Sequence, residues 1–155
     1  MLLSKSCIYG LRASLLLASS QNGAYISISE MSEKLDIPFH FLTKILQKLS
    51  AASLMESHRG PNGGVRLAKP GEEISLLNIV FAIDGHELLT QCVLGLPGCG
   101  IEKPCPMHDM WSEKKEKIAQ MLESTTLLEL GQDVRNGRLR ITDNGKAGFF
   151  KINKR

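Results

Sequence analysis

The first fifty residues alternate between helix-spaced apolar positions and short polar breaks. Apolar residues recur every three or four positions over residues 5–20, a period that predicts an amphipathic first helix. After an Asn-Gly break, Ser27 with Glu30 three positions later predicts a capping box that opens a second helix. Pro38 disfavours helical geometry in Ile37 and suits a first helical position, so it separates the second helix from a third.

The predicted third helix has one apolar face and one polar, basic face. The apolar face consists of Leu42, Ile45, Leu46 and Leu49. The opposite face consists of His40, Thr43, Lys44, Gln47 and Lys48. Such a face suits contact with DNA, although an ordinary solvated helix face has the same composition.

Two short extended runs follow over residues 54–70, in the sequence LMESHRGPNGGVRLAKP. The Asn62-Gly63 pair readily takes the positive φ values of a tight turn, which predicts a β-hairpin. Two helices followed by a hairpin are typical of a winged helix-turn-helix, in which the second of them enters the major groove. The predicted fold is therefore mainly α with a small β-hairpin. The helix-turn-helix spans about 28–51 and the wing about 55–69.

Two groups of residues in this predicted winged helix are candidates for DNA contact. On the third helix, side chains near its start can reach base edges or phosphates; these candidates are His40, Thr43, Lys44 and Lys48. On the wing, a narrow minor groove attracts an arginine presented at a tight tip. The wing candidates are His58, Arg59, Gly60, Pro61 and Asn62.

Beyond residue 70 the pattern predicts further helices on either side of a loop. Ser75 is expected to cap a helix over residues 76–84, with Ile74 and Ile79 as a hydrophobic staple. Six glycines and prolines between residues 92 and 108 exclude a long helix or a central strand there. This segment is therefore expected to be a structured loop.

A long helix is predicted from Asp109, with Trp111, Ile118, Met121 and Leu122 along one side. Thr126 and Glu129 form a second predicted capping box. It opens a short helix that is expected to end near Leu130. We expect the chain after Gly131 to be disordered.

A small net charge hides an uneven distribution of charged residues. The chain carries +3 overall, but residues 38–70 carry +4, residues 71–134 carry −7 and residues 135–155 carry +6. The basic stretch over the predicted winged helix suits phosphate contacts. No apolar run approaches the roughly 20 residues of a membrane helix, so we expect a cytoplasmic protein with no membrane partner.

Three of the four cysteines lie in the glycine- and proline-rich loop. The spacing Cys92-x6-Cys99-x5-Cys105-x2-His108 places three thiolates and an imidazole on one short segment. In a reducing compartment this grouping indicates metal or redox chemistry rather than disulfides. An iron-sulfur cluster and a structural zinc ion both accept such donors, and the wide spacing slightly favours a cluster. Cys7 lies apart on the first helix, where a small buried apolar role is the simpler interpretation.

Four motifs in a fixed order resemble the IscR/NsrR family of bacterial transcriptional regulators. They are the helix FLTKILQKL, the wing RGPNGG, the loop end CPMHDMW and the segment TTLLEL, and the resemblance covers roughly residues 1–131. It implies a homodimer that binds a pseudo-palindromic operator in double-stranded DNA. It also implies that the helix after the cysteine loop packs against the partner. The implied dimer-interface residues are Trp111, Ile118, Met121 and Leu122.

The resemblance also implies an iron-sulfur cluster, with 2Fe-2S as the first assignment. The implied metal ligands are Cys92, Cys99, Cys105 and His108. The first cysteine interval is one residue longer than in IscR-type members, so 4Fe-4S, as in NsrR-like members, is the alternative. NsrR-like members take a fourth ligand from an aspartate on the first helix. This chain has Ile8 at that position, with Cys7 beside it as an alternative fourth ligand.

The sequence thus predicts three regions and a regulatory function. Residues 1–70 form the DNA-binding region, residues 71–131 hold a connecting helix, the cluster loop at 92–108 and the dimerisation helix, and residues 132–155 form a basic, disordered tail. The expected protein is a repressor that senses cluster status, redox state or nitric oxide, and not an enzyme. A cluster-free or zinc-stabilised regulator that uses thiol chemistry or a protein partner is the alternative. A thiol redox enzyme is a further one, but no Cys-x-x-Cys pair or cofactor fingerprint supports it.

Overall fold

The computed structural model describes residues 2–20, 22–98, 100 and 102–143. Within these residues the chain is mainly helical, and its one sheet is an antiparallel β-hairpin, which confirms the predicted fold class. The elements in chain order are α1 (Lys5–Ser19), α2 (Ile28–Leu35), α3 (Phe39–Ala51), β1 (Met55–His58), β2 (Gly64–Leu67), a 3-10 turn (Gly71–Glu73), α4 (Leu76–Asp84), α5 (Glu87–Thr90), α6 (His108–Ser124) and α7 (Leu127–Arg135). The pattern of the sequence does not predict α5.

The helix-turn-helix starts at the predicted cap, but the capping box is only half formed. The Ser27 side chain accepts a hydrogen bond from the Glu30 N–H at 3.2 Å. The Glu30 carboxylate instead pairs with Lys34 Nζ at 2.5 Å, one turn further along α2. Asp36 ends α2 in the left-handed conformation (φ 53°), and Pro38 is the residue before α3 rather than its first residue.

The start of α4 confirms the predicted cap, and the two residues of the predicted staple are buried. The Ser75 N–H donates to Asn78 Oδ1 at 2.9 Å, and the Asn78 N–H donates to Ser75 Oγ at 3.2 Å, which completes a capping box. Ile74 and Ile79, the residues of the predicted staple, are both fully buried. A local cap and a local apolar pair therefore determine where this helix begins.

The two strands of the wing are joined by a five-residue tip, residues 59–63. The prediction that Asn62 and Gly63 take positive φ values is wrong. With five residues in the tip, the chain reverses through Gly60 (φ 119°), whose carbonyl oxygen accepts a hydrogen bond from the Gly63 N–H at 2.9 Å. The turn that joins the strands is thus longer than a two-residue Asn-Gly turn.

The wing is docked on the linker between α1 and α2 by backbone hydrogen bonds. The Ile26 N–H donates to the Val65 oxygen at 3.0 Å, and the Val65 N–H donates to the Ile26 oxygen at 2.9 Å. A Cβ atom on Gly64 would lie 2.2 Å from the Ile26 oxygen, so glycine allows this close approach. The bridge fixes the base of the wing against the helical core.

The last helix is longer than predicted, because α7 continues past Leu130 to Arg135. Gly131 lies against α1, and Arg135 Nε donates to the Ser19 oxygen at 2.8 Å, at the C-terminal end of α1. An arginine that satisfies the free carbonyls of another helix is a long-range contact. Local sequence patterns therefore could not reveal it.

The predicted disorder after Gly131 is also wrong as far as residue 143. Ile141 and Thr142 are buried, with 9% and 8% of their surface exposed. Residues 144–155, the remainder of the predicted tail, lie outside the described residues. Among the helices of the described residues, none is both long enough and apolar enough to cross a bilayer.

We predict that Gly131→Ala destabilises the protein, although alanine normally favours a helix over glycine by about 1 kcal/mol. The added Cβ would lie 2.8 Å from the backbone carbonyl of Ala18, so α7 must move away from α1. The expected loss is roughly 1–3 kcal/mol in the free energy of unfolding, measured by urea denaturation. The exposed Gln132→Ala in the same helix is the control and should cause little change. A Gly131→Ala variant as stable as the parent would contradict this packing.

Candidate functional site

The outer face of α3 carries the residues that the sequence predicts for base contact. Leu42, Ile45, Leu46 and Leu49 are buried as expected, which orients the opposite face outward. His40, Lys44 and Lys48 are exposed. Thr43 is half-buried, and its hydroxyl donates to the Phe39 oxygen at 2.8 Å. The exposed face of α3 thus presents one imidazole and two ammonium groups.

Phe39, the first residue of α3, was missed by the sequence predictions. Its side chain is 43% exposed and packs edge-on against the His40 ring, with 5.6 Å between ring centroids. An aromatic residue directly after Pro38, at the predicted start of the helix, was the available signal. Because apolar side chains contact the methyl group of thymine in the major groove, Phe39 joins the candidates.

The wing presents Arg59 at its tip, while a second arginine is held in the sheet. Arg59, Gly60, Pro61 and Asn62 are exposed. Arg66 instead forms an ion pair with Glu56 on the facing strand and lies over the Tyr25 ring, 4.5 Å from its centroid. His58, at the end of β1, packs against the same tyrosine at 5.5 Å. Arg59 is therefore the arginine of the wing that points away from the body of the protein.

The cysteine loop follows α5 and brings two of its predicted ligands together. Cys92 is buried, Cys105 is half-buried, and their sulfur atoms lie 3.5 Å apart. The His108 N–H donates to the Cys105 oxygen at 3.0 Å, so a tight turn places His108 at the start of α6 beside Cys105. Cys99, the third predicted cysteine ligand, lies outside the described residues.

The Cys92 sulfur lies in a pocket of hydrogen-bond donors made by its own loop. Hydrogen bonds from the backbone of Leu94 and Leu96 lower the pKa of the Cys92 thiol, and the contact with Cys105 and the positive charge of Lys115 lower it further. Donors directed at sulfur stabilise the negative thiolate. Thiolate is the form of cysteine that binds metals.

Two side chains of α6 form hydrogen bonds with Gln91, the residue directly before Cys92. The Gln91 carbonyl oxygen accepts hydrogen bonds from Trp111 Nε1 at 3.2 Å and from Lys115 Nζ at 3.4 Å. Trp111 and Lys115 lie four positions apart on α6, and therefore on one face of it. Lys115 is 8% exposed, which is unusual for a lysine. The position of α6 and the position of Cys92 are thus linked.

The sulfur pair has the spacing expected of two ligands on one tetrahedral metal. Metal–sulfur bonds of roughly 2.3 Å give a ligand–ligand distance of about 3.8 Å, close to the 3.5 Å between Cys92 and Cys105. Within the described residues, which exclude Cys99, no three metal-ligating side chains gather at one point. The donor types and the sulfur pair therefore fit an iron-sulfur or zinc site.

Cys7, the alternative fourth ligand, lies in the hydrophobic core. It is fully buried among the core residues, a cluster that does not include Cys92. Burial, with a smaller contribution from the nearby Asp84, raises the pKa of the Cys7 thiol to about 12. A neutral, buried thiol is a small apolar residue in effect.

Comparison with known proteins identifies the family. Residues 3–133 match the Rrf2 family, described as iron-dependent transcriptional regulators. The chain belongs to the Rrf2 family. The transcriptional regulator IscR of Serratia proteamaculans is 31% identical, with 89% of this chain and 88% of that one covered.

Solved structures share the fold of this Rrf2 chain. CymR of B. subtilis, described as the global cysteine regulator, matches with a TM-score of 0.72 at 23% identity, over 83% of this chain and 95% of that one. The oxidized form of Staphylococcus aureus CymR matches with a TM-score of 0.69 at 25% identity, over 84% and 95% of the two chains. This Rrf2 chain is therefore a DNA-binding transcriptional regulator with a winged-helix fold.

The four residues implied for the dimer interface differ in exposure. Leu122 is buried in the core of its own chain, and Ile118 packs against that core. Trp111 is half-buried and bonded to the loop, whereas Met121 is 57% exposed. Among the described residues of α6 and the cysteine loop, the exposed large apolar side chains are Val93, Leu94, Leu96, Met107, Met110 and Met121. Leu122 therefore stabilises the chain itself, whereas Met121 is exposed.

We predict that Lys115→Met raises the pKa of the Cys92 thiol in metal-free protein, because it removes a nearby positive charge. A smaller fraction of thiolate at neutral pH then slows alkylation of Cys92. Mass spectrometry of iodoacetamide-treated protein over a pH series measures this. Lys114→Met, on the exposed side of α6, is the control. Identical pH profiles for parent and Lys115→Met protein would exclude the electrostatic role.

Proposed function

We propose that this regulator is a homodimeric repressor whose operator affinity depends on an iron-sulfur cluster. The observation that carries this proposal is the 3.5 Å approach of the Cys92 and Cys105 sulfurs in a loop bonded to α6. The family's description as iron-dependent supports it. The proposed ligands are Cys92, Cys99, Cys105 and His108.

The residues around the proposed cluster would set its chemistry. When bound, the cluster supplies one-electron redox chemistry and sensitivity to oxidants and nitric oxide. An imidazole in place of a thiolate raises the reduction potential, and hydrogen bonds to sulfur raise it further. His108 and the backbone donors of Leu94 and Leu96 have these roles in the proposal. The assignment is 2Fe-2S, with 4Fe-4S as the alternative.

The proposed DNA contacts combine α3 with the wing. The exposed face of α3 enters the major groove, where Phe39, His40, Thr43 and Lys44 read base edges and Lys48 binds phosphate. The wing tip places Arg59 in the minor groove or against the backbone, beside Gly60, Pro61 and Asn62. Two chains related by a twofold axis would bind a pseudo-palindromic operator.

Contacts between helices connect the cysteine loop with α3. The loop is bonded to α6 through Gln91, α6 packs on α4, and α4 packs on α3. Assembly or loss of the cluster changes the shape of the loop and hence the preferred position of α6. An effector alters DNA affinity only if it favours one of two such positions. We propose that the loop acts in this way.

A second candidate is a regulator without a cluster, which responds to oxidation of its thiols. Two observations favour it. The first is the close sulfur pair, in which backbone hydrogen bonds lower the pKa of the Cys92 thiol. The second is the likeness to the oxidized form of S. aureus CymR. A zinc ion on the same ligands is a variant of this candidate. Iron and acid-labile sulfide in protein purified without oxygen would separate it from the cluster proposal.

We predict that Cys105→Ala abolishes visible absorbance in protein purified without oxygen, because one of the paired ligands is lost. Cys7→Ala should keep the full spectrum, since Cys7 lies in the core. Both spectra are compared with iron and sulfide contents and with circular dichroism as a folding control. A full chromophore in Cys105→Ala would overturn the ligand assignment. Loss of colour in folded Cys7→Ala would make Cys7 the fourth ligand.

We predict that Arg59→Ala weakens operator binding by roughly 1–3 kcal/mol, as expected for loss of a specific groove contact. The side chain is exposed at the wing tip, so its removal should leave stability unchanged. Fluorescence anisotropy with a labelled operator measures the affinity. Lys117→Ala, an exposed cation on α6, serves as the control. Equal affinity of Arg59→Ala and parent protein would remove Arg59 from the interface.

A further inference from the structure

The linker between α1 and α2 runs antiparallel to β2 at the base of the wing. Ile26 exchanges two backbone hydrogen bonds with Val65, at 3.0 and 2.9 Å. In an antiparallel pair, the residue before Ile26 lies opposite the residue after Val65. Tyr25 therefore lies opposite Arg66. Because side chains alternate along a strand, both lie on the face of the hairpin that does not carry Val65.

Tyr25 contacts three side chains on that face of the wing. Its ring centroid lies 4.5 Å from the Arg66 guanidinium carbon and 5.5 Å from the centroid of the His58 ring. Its hydroxyl donates a long hydrogen bond to Glu56 Oε1 at 3.4 Å. Glu56 and His58 belong to β1 and Arg66 belongs to β2, so one residue of the linker contacts both strands.

The ion pair within this cluster does not hold the wing in place. Arg66 and Glu56 bond to each other, and their side chains are 44% and 43% exposed. An ion pair this exposed contributes little to stability. Both of its members also belong to the hairpin, so the pair cannot connect the hairpin with the helices. The contacts of the Tyr25 ring with Arg66 and His58 do cross from the hairpin to the linker.

The same contacts reach the base of the wing tip. His58 is the last residue of β1, and the exposed Arg59 directly follows it. On its other side the linker leads into α2, whose cap is Ser27. The direction in which Arg59 points therefore depends on the tilt of the hairpin relative to the helix-turn-helix. Tyr25 restrains this tilt at both strands.

We propose that Tyr25 is a positioning residue for operator binding, which holds the wing at the angle at which Arg59 meets DNA. The inference rests on the proposed operator contacts of Arg59 and α3, and Tyr25 itself does not contact DNA. A wing that is restrained before binding loses less conformational freedom when it and α3 bind one operator together. Without the ring, the hairpin keeps its own hydrogen bonds and the bridge to Ile26, but it can take more orientations.

The test is a double-mutant cycle in operator affinity. The four proteins are the full chain, Tyr25→Ala, Arg59→Ala and the variant with both changes. Anisotropy titrations without oxygen use a labelled operator fragment that the protein has selected from genomic DNA. Urea denaturation of each free protein measures its stability. Tyr25→Leu, which fills more of the space left by the ring, replaces Tyr25→Ala if the alanine variant does not fold.

Tyr25→Ala should weaken operator binding by about three- to tenfold, within the range of coupling between side chains of one cluster. In the Arg59→Ala background, the same change should weaken binding by less than about twofold, because no arginine is left to position. A merely structural role would weaken binding by the same factor in both backgrounds. Tyr25→Phe should bind within about twofold of the parent, since the ring makes the contacts with Arg66 and His58.

Asn22→Ala, an exposed change in the same linker, is the control and should leave the affinity unchanged. Parent-like binding by folded Tyr25→Ala, or an equal loss in both backgrounds, would overturn the inference and leave the contact of Arg59 intact. Parent-like binding by Arg59→Ala would contradict the proposed wing contact itself, and the inference would fail with it. The two failures are therefore distinguishable.

Discussion

The close packing of neighbouring elements against α1 is the constraint on which the rest of the fold depends. α1 contacts α2, α3, α4, β2 and α7, and small residues line it where neighbours cross. A Cβ atom on Gly10 would lie 2.1 Å from Ile83 Cδ1, so a larger residue there would force the Ile83 side chain to shift. Ser14 is fully buried, but its hydroxyl donates to the Gly10 oxygen at 2.7 Å and is satisfied. One tightly packed helix thereby positions the helix-turn-helix and the wing, and its Arg12 also holds Ile141 after α7.

A second dependence connects the cysteine loop with α6 through the carbonyl group of Gln91. The Gln91 oxygen accepts hydrogen bonds from the side chains of Trp111 and Lys115 on α6, and Cys92 is the next residue along the chain. Lys115 and Leu122 are the two buried residues of α6, and Ile118 also packs against the core, so a small part of this helix contacts the body of the chain. A helix held by few contacts can take a second position at low cost in free energy. This is why a chemical change in the loop is expected to affect α6 before it affects α3.

Local rules in the sequence were sufficient for the fold class and for most helix starts, because caps, prolines and apolar periods act within a few residues. Ser27, Ser75 and Pro38 mark helix boundaries close to those observed. Long-range contacts caused the errors: Arg135 extends α7 by bonding to α1, and Arg12 orders Ile141. Glu30 had two partners available and paired with Lys34, which left the first capping box incomplete.

The sequence predicts which residue types form the candidate sites, but not the hydrogen bonds and burial around them. Cysteine spacing selected Cys92 and Cys105, yet the hydrogen bonds that stabilise the Cys92 thiolate come from the folded backbone of Leu94 and Leu96. Lys115 lies between charged residues in a lysine-rich stretch, which is typical of an exposed helix surface. Its burial is visible only in the folded structure. Phe39 was passed over because apolar residues are expected on the inner face of a helix.

The most direct measurement of the central claim is the affinity of one operator for the same protein with and without its metal group. Operator fragments selected from genomic DNA by the protein provide the ligand, and anisotropy titrations without oxygen compare cluster-loaded protein with protein stripped by chelator. We expect at least a fivefold difference in affinity, since typical coupling energies are roughly 1–3 kcal/mol. Iron and sulfide contents should follow that difference across partly loaded samples. Equal affinities, or a protein that contains no iron or sulfide, would contradict the account.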